Sequence, residues 1–420
     1  MFIGLEKIDM KLGYIGPFGD SNFGDYAMLI NDILDIGVKD IVIFTYDIDN
    51  TRAVCEMYLK EYIIEYVFIN IEKPEINYCK EYIVEYNIYP FIPMEIYNKI
   101  KNADEIFEKI KNIDKLVVVG GGYFNHLWNA KHRQYKLLAI MGVILKANEY
   151  GKKLYFLGNT YGPFSKSTEM FKIFFSNLTN VKIGTRDDVF SPLWFKTVSE
   201  KELCIIPDDL YFLNESIRPT NYEHKNKYIV LEVYYSINEL EKYIDLYRKF
   251  IRDIKEKYLF DVIFLPFDKQ YGGEKQGKFL SKNISELEYF SIKNGKFVKI
   301  EDILGLVKNA SFIICNRYHL FVFAVANNIP VIQILKDVLE NKTYYYTKSK
   351  GVLNQVFKDQ YYNEELFFSL SVKDCFNSVI NNLEEITVNQ NKIYNGQKME
   401  NEEIMLKKRN EFLNMIKNNE

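Results

Sequence analysis

Arg317 and His319 stand two residues apart in the run CNRYHLFVFAVANNIPVI, and this pairing is the sharpest chemical signal in the chain. An Arg side chain is a planar fork that matches a carboxylate or a phosphate. A neutral His beside it is a candidate proton carrier near pH 7. The residues before the pair read as a buried strand and those after it as an almost wholly apolar helix, which places both at a strand exit. A lone His on an apolar element is usually a packing residue. An Arg next to it at such a turn favours function.

Asn22 and Asp25 form the second candidate pair, in GPFGDSNFGDYAM after the apolar strand LGYIG. Gly24 between them lets backbone approach a ligand or another loop closely. Asn22 can cap the following helix, whose first N–H groups favour an anion. The glycine spacing matches neither the dinucleotide fingerprint nor a phosphate-binding loop with Lys. The bland alternative is a capped helix with Asp25 complementing its dipole. Further polar residues follow strands in the same way: Gly120, Gly121 and Gly122 in VVVGGGYF, Asn159 in GNTYGPF, Arg186 in GTRDD and Asp208 in IIPDD. His126 and His132 are six residues apart, on different helical faces, and no motif has metal-ligand spacing, so no metal or cofactor is expected.

These loops need strands and helices to hold them, and the chain supplies both in alternation. With 420 residues it exceeds the size at which a single core stops growing, about 250–300 residues. The pattern restarts after a polar stretch, so the expectation is two α/β domains over 1–213 and 228–390, a linker over 214–227, and a helix over 391–420 that packs back. In open parallel sheets ligands bind beyond the carboxyl ends of strands, which is where the polar residues fall. A net charge of −3 and the lack of a basic stripe argue against nucleic acid as a partner. Five scattered Cys, no signal-like leader and a longest apolar run of LLAIMGVIL, half a membrane span, point to a cytoplasmic chain.

Taken in order, these motifs resemble the polysaccharide pyruvyl transferase family from Gly13 to Lys342. The resemblance implies two Rossmann-like domains facing across a cleft, similar to two-domain glycosyltransferases of the GT-B kind. It implies phosphoenolpyruvate as donor, with no nucleotide cofactor. The acceptor would be a sugar of a cell-envelope glycan precursor, lipid-linked in one variant, with peripheral contact at the inner face of the membrane. His319 would shuttle protons, and Asp25 would be a base. Arg317 and Arg186 would hold the donor's anionic groups. Asn22 would orient sugar hydroxyls, with Gly24, Gly121, Gly122, Asn159 and Asp208 lining the site. A Lys after the next strand would contact the donor, Lys342 being preferred to Lys336. The chain departs from the family at Leu320, where a small residue is usual, and at Asn159, where Gln is frequent. A glycosyltransferase using a nucleotide sugar and a non-catalytic glycan-binding protein are the competing readings.

Overall fold

The pairing of the strands is parallel throughout, so adjacent strands in each sheet are joined by crossovers through a helix or long loop. A computed structural model describes residues 10–20, 22–72, 93–268, 272–292, 297–337, 343–358, 362–396 and 398–418. It separates into two compact units. One comprises the described residues up to Asp20, Met28–Asp209 and those from Lys408 onward. The other comprises residues 22–27 and Leu210–Lys407.

The first half of the chain runs β1 (Lys11–Ile15), α1 (Phe23–Ile36), β2 (Asp40–Thr45), α2 (Ile48–Tyr58), β3 (Ile63–Phe68), α3 (Pro93–Lys99) and α4 (Ala103–Lys111). It continues with β4 (Lys115–Val118), β5 (Gly121–Phe124), α5 (Lys131–Glu149), β6 (Lys153–Tyr161), α6 (Thr168–Asn177), β7 (Val181–Thr185), α7 (Phe190–Phe195) and β8 (Leu203–Ile205). The sheet order is β3-β2-β1-β4-β6-β7-β8, with β5 beside β6. The run LLAIMGVIL lies in α5, and every residue of it from Leu137 to Leu145 is buried against the sheet. Its length and lack of polar residues thus reflect a core helix. No helix among the described residues is long and apolar enough to cross a membrane.

The second half runs β9 (Tyr228–Leu231), α8 (Ile237–Tyr258), β10 (Asp261–Phe264), α9 (Glu274–Asn283), β11 (Leu287–Tyr289), α10 (Ile300–Lys308) and β12 (Phe312–Cys315). Then come α11 (Tyr318–Ala326), β13 (Val331–Ile334), α12 (Tyr344–Val356), β14 (Phe368–Ser369), α13 (Val372–Tyr394) and α14 (Lys398–Lys417). The order β11-β10-β9-β12-β13-β14 repeats the plan of the first sheet. In each the order reverses beside the first strand, between β1 and β4 and between β9 and β12, and ligands bind outside such switch points. Helix α8 begins with a reciprocal cap, Ser236 accepting from the Glu239 N–H and Glu239 from that of Ser236. Its buried face packs on α13, where Phe250 and Phe376 stack at 4.0 Å.

The units divide the chain at points other than the expected bounds. The units part between Asp209 and Leu210. Residues 214–227 belong to the second unit, where the Thr220 N–H donates to the Glu301 carbonyl at 3.0 Å. Asn22 to Ala27 also cluster there, because the Phe23 N–H donates to Phe267 and its ring packs on Phe267 and Phe323. The terminal region is two helices, α13 ending at Tyr394 and α14 starting at Lys398.

The end of α14 is fastened within the first unit by charge. Arg409, 1% exposed, donates to Asp209 at 2.8 Å, Asp32 at 3.1 Å and Asp35 at 2.9 Å. Lys115, at the start of β4, donates to the carbonyls of Met415 and Ile416 at the last turn of α14, where a cation offsets the helix dipole. Burial pushes the Asp209 carboxyl up to about 6, with Arg409 holding it down in part. Arg409→Met should therefore cost about 3–5 kcal/mol at pH 7.5, because it leaves buried carboxylates uncompensated. The cost should shrink at pH 5, below the raised value for Asp209, where that group is already protonated in the folded protein and carries no charge to strand. Urea unfolding of both proteins at the two pH values measures this, and an equal cost at both would refute it.

Candidate active site

Strand β12 ends at Cys315, and the chain turns through Asn316 and Arg317 into α11. Polar groups from neighbouring strand exits hold that turn. Asn316 accepts from the Tyr234 N–H at 2.9 Å and donates to the Ile334 carbonyl at 2.8 Å. Gln333 on β13 donates to the Asn316 carbonyl at 3.0 Å. Glu232, next after β9, accepts both the Asn316 and the Arg317 N–H, at 2.9 and 2.8 Å. The turn is thus fixed from both sides of the switch point.

From it the Arg317 guanidinium reaches Asp268, donating at 2.9 Å. Its Nε lies 3.8 Å from Glu232 Oε1, and its Cζ sits 4.2 Å from the centre of the Tyr234 ring. Burial pushes the Glu232 carboxyl up to about 7, with Arg317 and the two backbone N–H groups offsetting part of that rise. Lys336, just past β13, donates to the Tyr234 carbonyl at 2.8 Å and to Glu239 at 2.9 Å. Lys342 lies outside the described residues.

His319 occupies the first turn of α11 and is 8% exposed, so its ring is packed. It packs on Gly24. A Cβ added to Gly24 would stand 1.6 Å from His319 Nδ1 and 2.2 Å from Cε1. The glycine of SNFGD therefore makes room for the imidazole of NRYH, and no other residue type fits there without moving the ring. Around this contact Asn22 donates its side-chain amide to Asp25 at 2.9 Å, while its carbonyl receives the Asp25 and Tyr26 N–H groups. The helix start is closed by Asn22's backbone, and its side chain is turned to Asp25. Tyr26 donates to the Val298 carbonyl at 2.6 Å, fixing the segment to the second unit. The structure thus brings Asn22, Gly24, Asp25, Arg317 and His319 into one constellation.

The other predicted residues gather in the first unit and do different work. Arg186, 2% exposed, donates to Asp208 at 2.8 Å and to Thr160 at 2.8 Å. Arg186 and Asp208, expected to contact substrate, pair with each other in the interior of the first unit. Asn159 is wholly buried: its amide donates to the Leu157 carbonyl at 3.1 Å, and its Oδ1 has no hydrogen-bond partner among the described residues. The glycine run has an internal cause as well. An added Cβ on Gly120 would lie 1.9 Å from Asp209 Oδ2, and one on Gly121 would lie 2.8 Å from the Tyr123 ring. Gly122 accepts from the Asn125 amide at 2.8 Å, which belongs to the same folded turn.

Sequence reading passed over Glu232, Asp268, Asp209 and Arg409. For Glu232 a signal existed, since one acid in the apolar run YIVLEVYY must find donors when buried. Asp209 stands beside Asp208 in IIPDD, and nothing local says which of the two faces inward. Among the described residues, the group with metal-ligand spacing is His224, Asp261 and Glu288. It lies toward the amino-terminal side of the second sheet, and Lys255 and Asn226 already bind Asp261.

The fold has solved relatives at low identity. HepE from Anabaena, in complex with UDP-glucose, superposes with a TM-score of 0.55 at 12% identity, covering 97% of this chain and 99% of that one. MnaA from S. aureus, solved with UDP, gives 0.52 at 12% identity, covering 94% of each. The spinosyn rhamnosyltransferase SpnG gives 0.53 at 7% identity, covering 97% and 100%. These likenesses establish the fold: α/β, with two Rossmann-like parallel sheets of the GT-B type. No curated protein matches the chain. The family model for polysaccharide pyruvyl transferase matches residues 51–335, a span that contains the glycine run, Glu232, Arg317 and His319, and the chain belongs to that family.

Proposed function

We propose that this protein transfers the pyruvyl group of phosphoenolpyruvate to two hydroxyls of a sugar, leaving a ketal and free phosphate, on a precursor of a cell-envelope glycan. The observation that carries the reading is the seating of His319 on Gly24, beside Arg317, at the switch point of the second sheet. It joins two distant motifs into one group of an acid, a cation and a carboxylate. Family membership supports the reaction class.

The chemistry asks for three things from the chain. A proton must be added to the methylene carbon of the donor, which makes the neighbouring carbon electrophilic, and His319 is the group of suitable type. A sugar hydroxyl then bonds to that carbon and loses its proton, for which Asp25 is the candidate base, with Asn22 orienting it. Phosphate leaves with the bridging oxygen, and a second hydroxyl closes the ring, its proton ending on phosphate. One hydroxyl proton thus replaces the one given to the methyl group. Arg317 holds an anionic group of the donor as charge redistributes. Arg186 and Asp208, which pair with each other in the first unit, are given no step in this scheme. We place the acceptor on a lipid carrier at the inner face of the membrane as part of the same proposal.

The test is to incubate the protein with phosphoenolpyruvate and aryl or lipid-linked glycosides and to follow phosphate release and product mass. A nucleotide sugar serves as control donor, and turnover with it alone would overturn the proposal. His319→Gln should lower turnover by about 10²–10⁴ while the melting temperature stays near that of the parent. Gly24→Ala should mimic much of that loss without removing any polar group, because the new methyl displaces the ring. Full activity in Gly24→Ala would show that the contact is packing only. Asp25→Asn should impair turnover more than stability, and an unchanged rate would confine Asp25 to its bond with Asn22.

A further inference from the structure

Glu232 is a carboxylate shut away from water, its side chain 0% exposed. Its two oxygens differ. Oε2 accepts the N–H groups of Asn316 and Arg317. Oε1 makes no hydrogen bond among the described residues and faces Arg317 Nε at 3.8 Å. The same guanidinium is bonded to Asp268 from the exit of β10. Two carboxylates therefore share one cation.

The ionisable groups that bear on Glu232 come from each neighbouring element. They are Arg317 at the head of α11, Asp268 beyond β10, Cys315 on β12, Tyr235 beyond β9, Tyr247 on α8 and Tyr345 on α12. Burial pushes the thiol and the three phenols upward, Tyr235 to about 12, so all four stay neutral near pH 7. Among the described residues, the charge balance at Glu232 is thus set by Arg317 and Asp268. Burial has already brought the Glu232 carboxyl to about 7 with Arg317 beside it.

Resting on the reading above that Arg317 takes the anionic donor, we propose that Glu232 is the positioning residue of that site and gains a proton when the anion binds. An anion at the guanidinium removes much of the positive field that keeps Glu232 ionised and adds negative charge of its own. The proton has a place to go, on Oε1. The neutral acid still accepts both N–H groups through Oε2, so the turn that carries Arg317 and His319 keeps its shape. Only the pull of Glu232 on the guanidinium relaxes. Donor binding and protonation are linked, and each must favour the other equally.

The measurement is calorimetry of phosphoenolpyruvate binding at pH 7.5 in buffers of different ionisation enthalpy. The donor's phosphate, held by a guanidinium, can only release protons, so net uptake must come from the protein. The wild type should take up about half to three-quarters of a proton per donor bound, because about a quarter of Glu232 is already protonated at that pH, and its Kd should weaken by up to about tenfold per unit between pH 7 and 8.5. Glu232→Gln should bind without uptake and with a flat pH profile, whereas His319→Gln should retain the uptake. Wild-type protein that binds no phosphoenolpyruvate would remove the Arg317 reading and this proposal with it. Binding without uptake would leave that reading intact and overturn the role of Glu232. Uptake that survives in Glu232→Gln would also overturn it. Should Glu232→Gln fail to fold, His319→Gln decides, retained uptake supporting Glu232 and lost uptake assigning the proton to His319.

Discussion

A carboxylate removed from water must be met by donors, and at the strand exits of both sheets this requirement shapes the loops. Asp209, after β8, accepts from the Gly158 N–H and from Arg409, and Gly120 is a glycine because the Asp209 carboxylate occupies the space of its side chain. Asp187, after β7, accepts the N–H groups of Val189, Phe190 and Ser191 and so starts α7. Glu232, after β9, accepts those of Asn316 and Arg317 and so sets the turn into α11. Asp187 finds its donors in its own segment, whereas Asp209 and Glu232 lie on one strand exit and take donors from another. The exits are tied sideways, across the sheet, which backbone ladders alone do not do once the strands end.

How completely each acid is matched differs between the two units. In the first unit Arg186 answers Asp208, and Arg409 answers three acids at once. Those groups meet their counter-charges within the unit. In the second unit the match around Arg317 is looser. Glu232 Oε1 is at 3.8 Å, beyond hydrogen-bond range, and Asp268 supplies the direct bond. A cation placed between two acids in this way binds neither as tightly as it would bind one alone.

The alternation of strand and helix was legible in the chain because parallel strands buried on both faces read as short apolar runs, as in VVVGGGYF and FIIC. The Arg317–His319 turn was legible for the same reason, since two polar residues between apolar elements stand out. What lay hidden depends on contacts distant in sequence. Gly24 looked like a ligand-facing glycine, and the group it admits is His319, far along the chain. The glycines of GGGYF looked alike, yet Gly120 yields to Asp209 and Gly121 to Tyr123. Arg409 sits in a charged helix where one Arg among many Lys and Glu carries no local mark. Its burial is decided by Asp32, Asp35 and Asp209, whose own sequence contexts are unremarked. Periodicity reports which face is buried, and it is silent on which polar group meets which.

The contact between Gly24 and His319 also limits how the site can vary. Any side chain at position 24 collides with the ring, so the helix start after β1 and the turn after β12 must change together. Phe23 adds to this coupling, since its ring packs on both Phe267 and Phe323 while its neighbour receives the imidazole. Asp25 follows one residue past the glycine, and its carboxylate is held by the Asn22 amide. Side chains carried on two helix starts that pack through a glycine have few rotamers to choose from, which is the kind of restriction a preorganised site requires. The departure at Leu320, where a small residue is usual in the family, falls on the next position of α11 and is itself 0% exposed. Its side chain is buried in the second unit, and His319 beside it keeps its seat on Gly24.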